Sequence, residues 1–138
     1  SLMQLVNQLD LSSHISFEGF RQKSVLPEYF LNADCFLFQT GCDIWGLVLN
    51  EAMASGLPCL VSPNAGASTD LIIENETGII IDFSQHQQAA KAIHRILQDD
   101  HLLLKLGNNA ANLIASKVNP ANSAQGFINA ITFFKTHD

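Results

Sequence analysis

Positive charge is scarce in this chain: seven Lys and Arg stand against 13 Asp and Glu among 138 residues, a net charge of -6. With no Lys/Arg stripe to neutralise a row of phosphates, a nucleic-acid partner is not expected. Long apolar runs are missing too. No stretch approaches the roughly 20 residues needed to cross a bilayer, and no secretory signal pattern is visible. Cysteine is confined to Cys35, Cys42 and Cys59, an odd number without Cys-x2-Cys spacing. That pattern suits reduced thiols, two of them in the core, and argues against a zinc site. The five histidines are scattered, none at ligand spacing from a cysteine or carboxylate. These absences together predict a cytoplasmic chain without a metal or other cofactor. Contact of the full-length protein with the inner membrane would then be peripheral.

What is present describes a compact chain. Apolar residues make up 47% and charged residues 14%, enough for a sizeable core, and the length allows a single domain spanning residues 1–138. The pattern alternates. Leu2, Leu5, Val6 and Leu9 share one face of a short helix, and Ile15 to Gly19 reads as a strand with Phe17 inside. A helix over 26–32 carries Leu26, Tyr29 and Phe30. The apolar run from Cys35 to Gln39 suits a parallel strand covered on both faces. A helix from Leu47, a strand from Cys59, a short helical turn over 68–72 and a strand over 78–81 follow. Three helices close the chain, over 85–98, 101–117 and from Pro120, with Gly107 a weak point of the second. The last groups Ala124, Phe127, Ile128, Ile131 and Phe134 on one face. Such alternation predicts an α/β fold, a Rossmann-like doubly wound parallel sheet.

The densest information lies between Asp43 and Ser62. Leu47 to Ser55 are good helix formers, Gly56 stands where a C-cap glycine is expected, and Pro58 ends any continuation. The helix therefore starts near Trp45-Gly46 and leaves free N–H groups near Leu47 and Val48 for an anion. Glu51 lies one turn further on, on the face of Leu47 and Ser55. N–H groups for a phosphate and a carboxylate for neighbouring hydroxyls suit a nucleotide-sugar. The same punctuation also serves a capped helix buried between two strands, and spacing alone leaves both readings open. In doubly wound folds ligands bind beyond the carboxyl ends of the strands. Here that selects the loops 20–24, 40–46 and 63–67.

The residues Trp45-Gly46-Leu47-Val48, Glu51-Ala52-Met53-Ala54 and Gly56-Leu57-Pro58 resemble the acidic-x7-Glu signature of retaining glycosyltransferases of family 4. Phe17-Glu18-Gly19, Leu26-Pro27-Glu28-Tyr29, Ala33-Asp34, Asn64-Ala65-Gly66, Asp70-Leu71-Ile72 and Thr77-Gly78-Ile79 extend the resemblance to both sides. Asp43 stands where that family commonly has Glu, and Ile44 where it has Pro. The resemblance implies the C-terminal, donor-binding half of a two-domain GT-B fold. It implies that Glu51 accepts hydrogen bonds from ribose hydroxyls and that the N–H groups of Gly46, Leu47 and Val48 hold the sugar and distal phosphate. Asp43, the catalytic candidate, would lie near the donor sugar hydroxyls, and Phe20 and Arg21 would border the base through backbone atoms.

It implies further that a hexose moves from a nucleoside diphosphate to an acceptor with retained configuration and usually no metal. The nucleotide-sugar is then a substrate rather than a cofactor. In that family two strands and a loop bearing an Arg and a Lys for the diphosphate precede the segment seen here. The expectation is therefore a partial domain whose partner is the N-terminal domain of the same polypeptide, and whose 138 residues alone do not catalyse transfer. The Ile15 strand would re-pair beside the Cys35 strand or across a homodimer. A non-catalytic nucleotide-binding or interaction module of the same fold is the alternative reading. Another GT-B chemistry, such as epimerisation of a nucleotide-sugar, is a third.

Overall fold

The computed structural model describes residues 1–136, and the last two residues of the expected 1–138 span lie outside them. The elements follow as α1 (Leu2–Gln8), α2 (Leu26–Leu31), β1 (Phe36–Phe38), α3 (Leu47–Ala54), β2 (Cys59–Val61) and α4 (Ser68–Leu71). Then come β3 (Ile79–Ile80), α5 (His86–Leu97), α6 (Asp100–Lys117) and α7 (Pro120–Thr136). The three strands form one parallel sheet in the order β1-β2-β3, with Phe36 opposite Cys59 and Leu60 opposite Ile79.

Successive side chains of a strand point to opposite faces, and β2 is buried on both. Cys59 and Val61 pack with Leu49, Ala52 and Met53 of α3 and with Ala110 and Ile114 of α6. Leu60 faces the other way, with Ile79, Ile81 and, from α5, Ala89 and Ile96. Leu106 of α6 joins this second cluster, so α6 contributes to both. The class is α/β with a parallel sheet and helices against both faces, as the alternation of elements predicts. α3 ends in a Schellman motif: Leu57 N–H donates to the Ala52 carbonyl (3.2 Å) and Gly56 N–H to that of Met53 (3.0 Å). The turn it makes leads straight into β2.

The expected strand over Ile15 to Gly19 does not form, and so does not re-pair beside β1. A strand exists through its ladder, and this segment has no strand partner among the described residues: Ile15 N–H closes a turn onto the Leu11 carbonyl, and Ser16 donates to the Glu18 carboxylate. Ile15 and Phe17 remain 41% and 43% exposed. The paired neighbour of β1 is β2, on one side only. α7 forms as expected, but none of its residues is buried, and Phe127, Ile128, Ile131 and Phe134 are all exposed. Gly107, a low-propensity residue in the middle of α6, marks a close approach. Its Cα faces the turn after α3, where a Cβ would meet Gly56 and Pro58. Among the described residues no helix is long and apolar enough to cross a membrane.

Candidate functional site

The loops that leave the carboxyl ends of β1 and β2 are tied to each other. Asp43 N–H donates to the Asn64 carbonyl (3.2 Å), Gly66 N–H to that of Asp43 (2.8 Å) and Ala67 N–H to that of Trp45 (3.0 Å). Asp43 and Ala65 thereby form a parallel bridge beyond the ends of the strands. Buried Ser62 supports it by donating to the Thr40 carbonyl (3.0 Å) while accepting from Asn64 N–H (3.2 Å). The backbones approach so closely at Gly66 that a Cβ there would lie 2.7 Å from the carbonyl carbon of Ile44 and 3.2 Å from the Asp43 oxygen.

α3 starts from this junction. Its N-cap, Gly46, has φ +87°, a left-handed conformation that a Cβ disfavours. A Cβ at that position would also stand 2.5 Å from the Phe38 ring. Leu49 N–H makes the first bond of the helix, to the Gly46 carbonyl (2.8 Å). The N–H groups of Gly46, Leu47 and Val48 lie ahead of it, with no acceptor among the described residues. Trp45 packs against the core and donates its indole N–H to Asn50 Oδ1 (3.0 Å), which fixes the turn.

Asp43 Oδ1 accepts from Trp45 N–H (3.0 Å), an Asx turn that holds the entry to α3. Its second oxygen has no partner among the described residues. Glu51, one turn into the helix, places Oε1 3.2 Å from Lys23 Nζ. Beside this pair lies a cleft of about 230 Å³ floored by Leu26, Pro27 and Phe30 of α2 and Ala54 of α3. A larger cleft, about 410 Å³, sits between β3 and α5, and no residue of the loops after β1 and β2 or of the run from Asp43 to Pro58 lines it. Among the described residues no three His, Cys, Asp or Glu side chains gather where they could hold a metal ion.

The fold thus brings Asp43, Gly46, Leu47, Val48 and Glu51 onto one loop and the first turns of one helix. Phe20 and Arg21 are placed differently. Phe20 is 88% exposed on the irregular run before α2. Arg21 is held by Glu18 (2.6 Å) and lies 5.8 Å from the centre of the Tyr29 ring. Hydrogen bonds from Ser16, Arg21 and Tyr29 hold the Glu18 carboxyl down at about 2, and the same carboxylate raises the Tyr29 phenol above its usual value. It is Lys23, two residues on, that reaches Glu51. Sequence reasoning had no signal for this, because the two are remote in the chain and meet only when α2 packs on α3.

Open N–H groups and a carboxylate one turn apart, at the carboxyl ends of parallel strands, have the chemistry to accept an anion and to take hydrogen bonds from hydroxyls. The family is more particular. The model of the glycosyl transferases group 1 family matches residues 1–113, and the chain belongs to that family. It is 34% identical over 104 residues to YtcC of Bacillus subtilis (strain 168), covering 74% of this chain and 25% of that protein. It is 27% identical over 114 residues to a GDP-mannose-dependent alpha-(1-6)-phosphatidylinositol monomannoside mannosyltransferase of Mycobacterium tuberculosis (strain H37Rv), covering 78% of this chain and 29% of that one. Among solved structures, sucrose-phosphate synthase from Thermosynechococcus elongatus superposes with a TM-score of 0.84 at 27% identity, over 98% of this chain and 34% of that one. The Anabaena HepE structure in complex with UDP and glucose superposes at 0.82 with 22% identity, covering 95% of this chain and 35% of that one, a likeness of fold. The fold is that of the C-terminal domains of GT-B glycosyltransferases. The chain spans between a quarter and a third of the length of these relatives.

Proposed function

We propose that residues 1–138 are one domain of a retaining family 4 glycosyltransferase, the part that binds its nucleotide-sugar donor. The whole enzyme would move a hexose from a nucleoside diphosphate to an acceptor. The observation that carries the proposal is the start of α3. Three N–H groups without an acceptor among the described residues stand one turn from the Glu51 carboxylate. Backbone N–H groups at a helix N-terminus favour a phosphate, and the helix dipole adds to the attraction. Glu51 accepts from the ribose hydroxyls. The free oxygen of Asp43 faces the donor sugar while its other oxygen keeps the turn in place. Phe20 and the backbone of Arg21 border the base. Catalysis then consists of stabilising the leaving diphosphate with dipoles and cations while the acceptor attacks from the same face. The N-terminal domain of the same polypeptide would present the acceptor, and the 138 residues alone would bind donor without turning it over. Transferase turnover by the isolated chain would contradict that last statement.

The test is calorimetric titration of the full-length protein with UDP-, GDP- and ADP-sugars, alongside its Glu51→Ala variant. Saturable binding to one nucleotide is expected, weakened in the variant by about 1.5–3 kcal/mol, the worth of hydrogen bonds to a charged group. Binding to none of them, or binding indifferent to Glu51, would overturn the donor-binding reading.

A further inference from the structure

The donor-binding reading, on which this inference rests, leaves the Lys23–Glu51 pair without a role. The ammonium is 3.2 Å from Glu51 Oε1, yet the lysine side chain is 87% exposed and the glutamate 32%. Lys23 lines the small apolar cleft with Leu26, Pro27 and Phe30. A lysine commonly lays its stem along such a surface and keeps its head in water. An ion pair this exposed shifts an equilibrium by no more than about five-fold, so the head leaves Glu51 at little cost. The open N–H groups of Gly46, Leu47 and Val48 begin one helical turn away from Glu51, a rise of about 6 Å. A flexible four-carbon stem spans a distance of that order.

We propose that Lys23 is a movable cation by which this site distinguishes a nucleoside diphosphate from a neutral nucleoside. In the empty site it neutralises Glu51. When ribose hydroxyls take the carboxylate, it turns toward the diphosphate at the start of α3. The sign of its contribution depends on the ligand. A neutral nucleoside only competes with Lys23 for Oε1, so the lysine opposes binding slightly. A diphosphate brings about two negative charges within a turn of the ammonium, and attraction at that range outweighs one exposed ion pair. Arg21 is turned instead toward Glu18 and the Tyr29 ring.

Lys23→Met tests this in the full-length protein, because methionine keeps a stem over the cleft and removes the charge. The probes are UDP, GDP and ADP and the matching nucleosides, titrated at low and at high salt. For whichever nucleoside diphosphate binds, the dissociation constant should rise about 5- to 20-fold at low salt, and the gap should narrow as salt is added. The nucleoside should bind no more weakly than to the unaltered protein, and Lys23→Arg should restore the diphosphate affinity. If nucleoside binding is below detection in both forms, diphosphate loss with flattened salt dependence decides in favour. Diphosphate binding unchanged in Lys23→Met, or diphosphate and nucleoside weakened alike, would overturn the inference: the first leaves Lys23 a solvated side chain, the second one that only shapes the site. The two failures separate cleanly. Binding that depends on Glu51 but not on Lys23 overturns this inference alone, whereas binding to no nucleotide overturns it together with the donor-binding reading.

Discussion

Replacing Gly66 by Ala should damage both stability and ligand binding, although the substitution removes no side chain. The added methyl would fall on backbone, the Ile44 carbonyl group and the Asp43 oxygen, so no rotamer change can relieve it. Restoring ordinary contact requires the two strand-end loops to part by roughly 1 Å or more. Three backbone hydrogen bonds tie the two loops, and two of them start at this turn, from Gly66 N–H to Asp43 and from Ala67 N–H to Trp45. Losing both costs about 1–3 kcal/mol at ~0.5–1.5 each. The lower chain entropy of unfolded alanine returns about 0.4–1 kcal/mol, so a net loss of ~1–2 kcal/mol is expected in urea denaturation. The same displacement reaches Gly46, whose N–H and successors begin α3, and nucleotide affinity should fall with it. Gly41→Ala is the control. It lies in the same loop, with nothing within 4 Å of its would-be Cβ, and should change neither reading appreciably. A Gly66→Ala variant as stable as its parent, with unchanged nucleotide affinity, would refute the view that this junction positions the start of α3.

Gly107→Ala pits helix propensity, worth about 1 kcal/mol in favour of alanine, against overpacking of ~1–3 kcal/mol on Gly56 and Pro58. A lower urea midpoint is expected, whereas Gly126→Ala, which meets nothing within 4 Å, should raise helical circular dichroism without lowering the midpoint. Tyr29 is the sole tyrosine, so its phenolate absorbance can be titrated without ambiguity. Its O–H donates to the Glu18 carboxylate (2.9 Å), which favours the neutral phenol and raises its pKa. Glu18→Gln should bring the midpoint down, and an unmoved midpoint would break the assignment. Of the three thiols, Cys42 is exposed, while burial pushes Cys35 up to about 11 and Cys59 further still. A thiol reagent near neutral pH should therefore modify Cys42 first and reach the others on unfolding, and fast reaction of all three in the native protein would contradict the burial.

Much of the fold is legible in local chemistry. Good helix formers between Gly46 and Gly56 bound α3, and Pro58 forbids its extension. Cys59 to Val61 are apolar on both alternating faces because helices cover both sides of the sheet. The N–H groups of Gly46, Leu47 and Val48 and the carboxylate of Glu51 are positioned by a single helix, so their spacing in the chain is their spacing in space. That is why the motif could be read before the fold was known.

Tertiary structure decided what depends on neighbours remote in the chain. Ile15 to Gly19 has the alternation of a strand, but a strand is made by a ladder, and none forms beside it among the described residues. Arg21 and Lys23 stand two residues apart before α2, and the resemblance singles out only Arg21. Packing of α2 against α3 gives Glu51 to Lys23, while Tyr29 and Glu18 draw Arg21 aside. Gly66 is one residue of a loop triplet and Gly107 reads as a weak point, and both become obligatory only because Ile44 and Gly56 are folded against them. Local propensity sets which residues form α3 and where its free N–H groups lie. Which side chains meet at its surface is set by long-range packing, to which the order of residues along the chain gives no direct access.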